Sequence, residues 1–525
     1  MNNNKCSYNK KKSALSLRVV SSLGLAVIAA NAEAVQLYQS DDVSIRWDNN
    51  IKYSAASSVA KKDNATSAAL AAQFRNDGYD NFDRGLISNR IDLLSELDVK
   101  AGDIGFRLSG AAWYDDVYSK ETEQNTSFHP DVEDQHGSDA ELLDAFLYGQ
   151  TSFGGTDVSV RLGRHSLVWG ESLFLATNGM AYANGPLNLA KALAVPNTQA
   201  KELFLPVNQI SMGVQPTDDF KVEAYYQFEW EKSRIPGAGS YFSDTNFMDK
   251  GGSLDLGYGN LAREDYEASD DGQWGIAFKY FSPELDTDFG LYYMNYHEKI
   301  GYNQATDNFF DLSTVAPVPP STIVPGSYGL WFPEDITMIG LSASTTVGTM
   351  NVAGEISVRK DTPLLASPFS PPSQQPYGDS FHYQISGIYI GGPHLFWDSF
   401  TFIGEIGGHK VTDVTKNEAY LWPGMNNEVL GTRFQFIPAV YQVLPGLDIE
   451  TPLSVGHNFK GYSQLDPKFN GGSGDGAGDV SLGVDFTYQG YWKGGVSYTH
   501  YYGDDVSEQA LIDRDFISFN INRTF

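Results

Sequence analysis

The last stretch of the chain, Asp515 to Phe525, reads DFISFNINRTF. In an extended chain Ile517, Phe519, Ile521, Arg523 and Phe525 share one face, and Ser518, Asn520, Asn522 and Thr524 share the other. Period-two alternation over about ten residues is the pattern of a strand with one side on lipid and the other on a wet lumen. Phe519, Ile521 and the terminal Phe525 together form the alternating, aromatic-ended signal that barrel-assembly machinery reads. Arg523 interrupts the apolar face. An outward arginine costs only about 0 to 1 kcal/mol near a membrane boundary, so its position marks a strand that ends there.

The same alternation recurs upstream. Val480, Leu482, Val484, Phe486 and Tyr488 oppose Ser481, Gly483, Asp485 and Thr487. After a turn at Gln489 and Gly490, Trp492, Val496, Tyr498 and Tyr502 oppose Lys493, Ser497 and Thr499. Phe220, Val222, Ala224, Tyr226, Phe228 and Trp230 form another such face, as do Met350, Val352, Ile356 and Val358, and Ile91, Leu93, Leu97 and Val99. A lysine or arginine facing lipid at mid-membrane costs about 2 to 4 kcal/mol, which fixes the phase of each strand with its charges inward. Short turns at 101–103, 153–157, 215–219, 282–286 and 347–349 alternate with longer loops. The expected fold is all-β: a transmembrane, antiparallel, up-and-down barrel of about 18 strands (roughly 16 to 18), with short periplasmic turns and long extracellular loops. Its first strand is expected at Val43 to Tyr53 and its last at Asp515 to Phe525. Two places strain this reading. Pro438 lies within a proposed strand from Gly431 to Gln442, where a bulge is the simplest repair, and a strand from Asp398 to Gly408 is diluted by glycine.

Residues 1–34 have the layout of a secretory signal peptide: Lys5, Lys10, Lys11, Lys12 and Arg18, then an apolar run from Val19 to Ala30, then small residues with cleavage expected after about Ala32 or Ala34. The apolar run is shorter than the roughly 20 residues of a membrane-spanning helix. The remainder, 35–525, is expected to form one barrel domain in the outer membrane. Cys6 is the only cysteine, so the exported part offers no disulfide or thiolate metal site. Loss of the leader's five basic residues takes the formal charge from −29 to −34, which excludes nucleic acid as a partner. The expected partners are outer-membrane lipid and lipopolysaccharide, the assembly machinery and a small-molecule substrate. The 30 tyrosines and 52 glycines suit interfacial girdles and turns.

The loop from Ser166 to Pro206 differs from the other long loops in being largely apolar, with a short helix expected from Leu187 to Ala194 behind Pro186. A solvated tip would be polar, so the loop is expected to fold into the lumen; the alternative is a cap packed outside the membrane. Trp169, Glu171 and Phe174 of this loop are candidates for lining a constriction. So are the inward charges Asp92, Glu96, Arg107, Asp144 and Arg161 on the adjacent strands, which either set a field across a pore or pair with one another. Asp115 and Asp116, where a strand becomes a loop, read as solvated rim residues before they read as a catalytic pair. The run Gly471 to Asp479 reads as a flexible loop and not as a calcium repeat, and the proline-rich stretches Val315 to Pro325 and Pro363 to Pro376 read as stiffened loops. No Gly-x-Ser-x-Gly elbow, His-Glu-x-x-His helix or phosphate-binding glycine loop occurs. The expectation is a protein without catalytic residues, metal or cofactor.

Several segments resemble a proteobacterial family of outer-membrane proteins catalogued as domain of unknown function 1302. They are FDRGLISNRIDLLSELDVK (82–100), GAAWYDDVY (110–118), AELLDAFLYG (140–149), RLGRHSLVWGESLFLATNGM (161–180), VPNTQAKELFLP (195–206) and YYQFEWEKSRIPGAGSYFS (225–243). The resemblance implies an exported barrel, and it associates the chain with catabolism of steroids, lipids or other hydrophobic compounds. The leading expectation is a porin-like channel for passive uptake of a small hydrophobic or amphipathic substrate. A plugged structural or adhesive barrel comes second and an outer-membrane hydrolase third.

Overall fold

The computed structural model describes residues 35–525 apart from 197, 199, 256–258, 306–308, 312, 314–322 and 368–369. The expected leader and most of the 315–325 stretch lie outside the described residues. Eighteen strands traverse the molecule. They are β1 (Val43–Ser58), β2 (Gly85–Ala101), β3 (Ile104–Asp115), β4 (Ser138–Phe153), β5 (Thr156–His165), β6 (Val207–Thr217), β7 (Phe220–Gln227), β8 (Trp274–Ser282) and β9 (Thr287–Tyr296). The second half comprises β10 (Ile336–Val347), β11 (Met350–Pro363), β12 (Tyr377–Gly391), β13 (Ser399–Lys416), β14 (Glu428–Leu444), an interrupted β15 (Leu447–Glu450 and Leu453–Lys460), β16 (Gly478–Tyr488), β17 (Trp492–Tyr502) and β18 (Phe516–Thr524). Each pairs antiparallel with its neighbours in sequence, and β18 returns to β1, with Thr524 opposite Asn50 and Phe516 opposite Ser58. The barrel therefore closes without a free edge.

The alternation sorts the two faces. Leu482, Val484, Val496 and Tyr498 are exposed on the outer surface, as are Ile356 and Val358, whereas Glu355, Ser357 and Arg359 between and beside them are buried inside. Arg523 keeps its outward phase but is not solvated. Its guanidinium lies 5.4 Å from the Tyr491 ring and 5.1 Å from that of Trp492, so the one charge on this face is roofed by aromatic rings. A short strand, Val35–Gln39, pairs with the beginning of β1. Phe525 makes reciprocal backbone hydrogen bonds with Asn49, at 2.9 and 2.7 Å.

Three local expectations are corrected. No bulge falls at Pro438 itself: it pairs in register with Phe400, and on the other edge of β14 the register shifts between Leu430 and Gly431 and again between Val440 and Leu444. Its carbonyl accepts from Thr451 N at 2.9 Å, so its nitrogen faces the same residue, and the ladder is interrupted there, at the break in β15 before Pro452. Trp230 does not continue the outer face of β7, which ends at Gln227. It is buried against Phe332, ring to ring at 4.8 Å, because the chain has already left the wall for the loop layer. Asp115 is not a solvated rim residue. It is 2 % exposed and accepts hydrogen bonds from Ser88 Oγ (2.6 Å) and Asn89 N (3.0 Å) of β2 and from Val117 N (3.1 Å), which tie the end of β3 to its neighbour and to the turn that follows it.

Above the strands the long loops pack on one another. Phe82, Tyr118, Phe128, Tyr241, Phe242 and Phe516 form an apolar cluster there, and Arg514 is buried beside it, donating to the carbonyls of Tyr241 and Ser243. Asp479 belongs to β16 and not to the preceding glycine-rich loop. It forms a bidentate pair with Arg433 of β14.

Candidate functional site

The segment between β5 and β6, residues 166–206, meets inward side chains from three different sectors of the wall. A connection between adjacent strands can do this only by crossing the interior. Its depth is visible on β2, where Lys201 Nζ pairs with Glu96, a residue nearer the periplasmic turn than the loop end of that strand.

Against β7 to β10 the contact is apolar. Trp169, Met180, Tyr182, Ala183 and Leu187 of the segment form one buried cluster with Tyr225, Ala277, Tyr292, Met294, Tyr296, Ile336 and Met338 of the wall. Trp169 packs edge-on to Tyr225 at 5.0 Å and lies 5.8 Å from Tyr292. Glycines on the lumen face make room for it: a Cβ on Gly275 would come within 2.9 Å of the Trp169 ring, and one on Gly340 would overlap Met180 Sδ. At the top of this sector burial lowers the pKa of the Lys299 amine to about 7. Burial and the neighbouring Glu298 carboxylate push the Tyr182 phenol well above its usual range.

Against β11 to β13 the contact is made of hydrogen bonds, and the wall supplies what the segment's irregular backbone lacks. Glu355 of β11 accepts from the backbone N–H groups of Glu171 (2.6 Å) and Met180 (2.7 Å). Glu405 of β13 accepts from those of Leu173 (3.2 Å), Phe174 (2.6 Å) and Leu175 (2.8 Å). Arg359 donates to the carbonyls of Thr177, Asn178 and Gly179. Asn178 Oδ1 accepts from Nδ1 of both His382 (3.0 Å) and His409 (3.1 Å). The tautomer of His409 follows from its other nitrogen. Ser463 Oγ already accepts from Leu465 N and Asp466 N, so its O–H is the donor to His409 Nε2.

Against β1 to β3 the contact is ionic. Lys191 Nζ lies 3.8 Å from Asp92 of the wall and 2.6 Å from Glu202 of its own segment, Lys201 pairs with Glu96, and Lys52 donates to the Pro196 carbonyl at 3.1 Å. The short helix α1 spans Leu189–Ala194, and its N-cap is Asn188, whose side chain accepts from Lys191 N. It therefore begins later than expected from Pro186, because the chain at Leu187 is still extended and bridged to Phe204.

The residues singled out from sequence divide accordingly. Asp92 is held by Arg90 in the same strand. Glu96 receives Arg107 at 2.7 Å, and Arg107 lies 3.7 Å from Asp144. Arg161 stands beside them with its guanidinium 5.9 Å from the Phe146 ring. These five line one wall with acid and base alternating, so they do not oppose one another across the interior. Trp169 is packed into the apolar sector at 2 % exposure, while Glu171 and Phe174 are half-buried and engage the far wall through their backbone amides. The anchors Glu405, His382, His409 and Asn178 were missed. For Glu405, His382 and His409 the signal is an ionisable side chain at an inward strand position, as it is for Glu355 and Arg359; Asn178, on the segment, carries no such signal.

The chain matches the family model described as "Protein of unknown function (DUF1302)" over residues 15–525, and it belongs to that family. No curated protein matches it. Among solved structures it is similar to Acinetobacter baumannii OccAB4 (11% identity, 93% of this chain and 98% of that chain covered, TM-score 0.44). It is also similar to Pseudomonas aeruginosa OccD3 (OpdP) (11% identity, 94% and 93% covered, TM-score 0.42) and to Pseudomonas aeruginosa OpdK with vanillate (9% identity, 92% and 98% covered, TM-score 0.41).

Proposed function

We propose that this member of the DUF1302 family is a porin-like channel of the outer membrane that admits a small hydrophobic or amphipathic solute passively. The observation that supports this reading is the 166–206 segment, held across the interior by apolar packing on one sector and by wall carboxylates on the next. A barrel that served only as a scaffold needs no such device, whereas a channel needs a narrow place at which to discriminate. Apolar side chains over part of that cross-section suit a solute with an apolar body. The closed wall, with its apolar outer face, suits residence in a bilayer.

The number of wall sectors the segment touches favours a second reading, a barrel plugged by its own loop. Planar-bilayer recordings separate the two. A channel gives discrete conductance steps that grow when Thr177 to Ala192 is deleted; a plugged barrel gives none until the deletion is made. Liposome swelling with sterols, fatty acids and sugars then tests substrate class, and equal rates for sugars and apolar solutes overturn the apolar pathway.

A further inference from the structure

A cavity of about 180 Å³ lies where helix α1 faces the lumen side of β2 to β4, under the loops that carry Gln135, His136, Arg234 and Lys250. By volume it accommodates several waters or one small organic molecule. Its floor is the apolar side of α1 and the residue after it, Ala190, Ala194 and Val195. Four cationic residues line it (Arg90, Lys191, Arg234 and Lys250) against two acidic ones (Asp139 and Glu141).

Three of the four cations already have carboxylate partners. Arg90 is committed to Asp92 and to the His136 carbonyl, and Lys191 to Glu202. Arg234 uses Nη1 on Glu141 Oε2 at 2.5 Å, and its other N–H groups make no hydrogen bond among the described residues. Lys250 has no ion-pair partner among the described residues. Trp113, also in the lining, has a buried indole N–H without an acceptor. His136 adds a neutral donor: its Nε2 accepts from Gly237 N at 3.1 Å, so Nδ1 carries the proton. Burial lowers its pKa to about 3, which leaves it uncharged at ordinary pH. Among the groups not already paired, Lys250, the remaining guanidinium N–H groups of Arg234, Trp113 Nε1 and His136 Nδ1 donate, while Gln135 Oε1 and the exposed Asp139 accept; two of the donors are on charged side chains, over an apolar floor. Lys250 is half-buried without a carboxylate partner among the described residues, and an anion in the cavity would supply one.

We propose that this cavity is a binding site for a small amphipathic carboxylate, its carboxylate between Arg234 and Lys250 and its apolar body against Ala190, Ala194 and Val195. The proposal deepens the channel reading, on which it rests for the route by which the ligand arrives. It narrows the admitted solutes to those with an anionic head.

The test is titration calorimetry on the full chain in detergent micelles with benzoate, benzamide and benzylammonium. Benzoate is expected to bind at least tenfold more tightly than the other two. Lys250→Gln should weaken benzoate about tenfold and leave benzamide unchanged, while Lys493→Gln, an equal loss of charge on β17, should change neither. Glu141→Gln releases Arg234 and should strengthen benzoate severalfold, a gain that misfolding does not mimic. Equal affinity for benzoate and benzamide, no binding of either, or no gain in Glu141→Gln overturns the proposal. Benzoate binding by a barrel without conductance steps overturns the channel and leaves the site standing. Conductance without a preference for benzoate does the reverse.

Discussion

The lumen face of β7 to β10 and that of β1 to β3 hold the same segment by opposite means. The first buries Trp169, Met180 and Tyr182 among tyrosines, methionines and glycine gaps. The second meets Lys191 through Asp92 and Lys201 through Glu96, with a cavity left beside them. Close-packed apolar contact gains free energy in proportion to the surface it removes from water, and it tolerates no void. Ion pairs in a wet interior gain little and fall with salt, but they can open beside a ligand without leaving apolar surface bare. One side of the segment is thus held by close packing and the other by charges, and an anion bound in the cavity as proposed above would compete with the protein for the latter.

Trp169→Ala is the strongest way to break this contrast. Losing a buried indole should cost about 3 to 5 kcal/mol of docking free energy, read as faster amide exchange across 166–187 with the barrel's own exchange unchanged. Unchanged exchange there would mean that the apolar sector does not hold the segment. Glu405→Ala probes the hydrogen-bonded neighbour. Leaving the amides of Leu173, Phe174 and Leu175 without their acceptor should cost about 2 to 3 kcal/mol and loosen 171–180 while sparing 182–187. If both stretches loosen equally, the two sectors are one unit. The ionic side should matter least. Lys201 is 45 % exposed on its side chain, so Lys201→Ala should change docking by less than about 1 kcal/mol, and whatever change exchange shows should shrink in high salt.

The barrel itself was legible from sequence because a lipid-facing side chain has no alternative to being apolar. Every second residue of β16 to β18 therefore declares its direction. Strand β13 reads poorly for a reason that only the fold supplies: a Cβ on Gly407 would come within 3.0 Å of Leu175, and one on Gly408 would overlap the Val429 carbonyl. The same glycine that admits the threaded segment erases the alternation. The anchors were illegible for a related cause. Glu405 and Leu173 are far apart in sequence, and an inward carboxylate looks alike whether it meets water or a backbone amide. Pro438 misled because a proline reports that one N–H is missing and not which neighbour it faces.

The seam between the first and last strands carries one more consequence. Sliding β18 along β1 by two residues would leave every side chain on its own face, so alternation alone does not choose where a closing barrel stops. The short strand Val35–Gln39 occupies the rest of that track, with Val35 opposite Trp47, while Phe525 bonds to Asn49. Only Asp48 lies between them. The amino-terminal strand is thus a doorstop for the carboxy-terminal one: it fixes the stagger of the closed cylinder, and through the stagger its tilt and its bore.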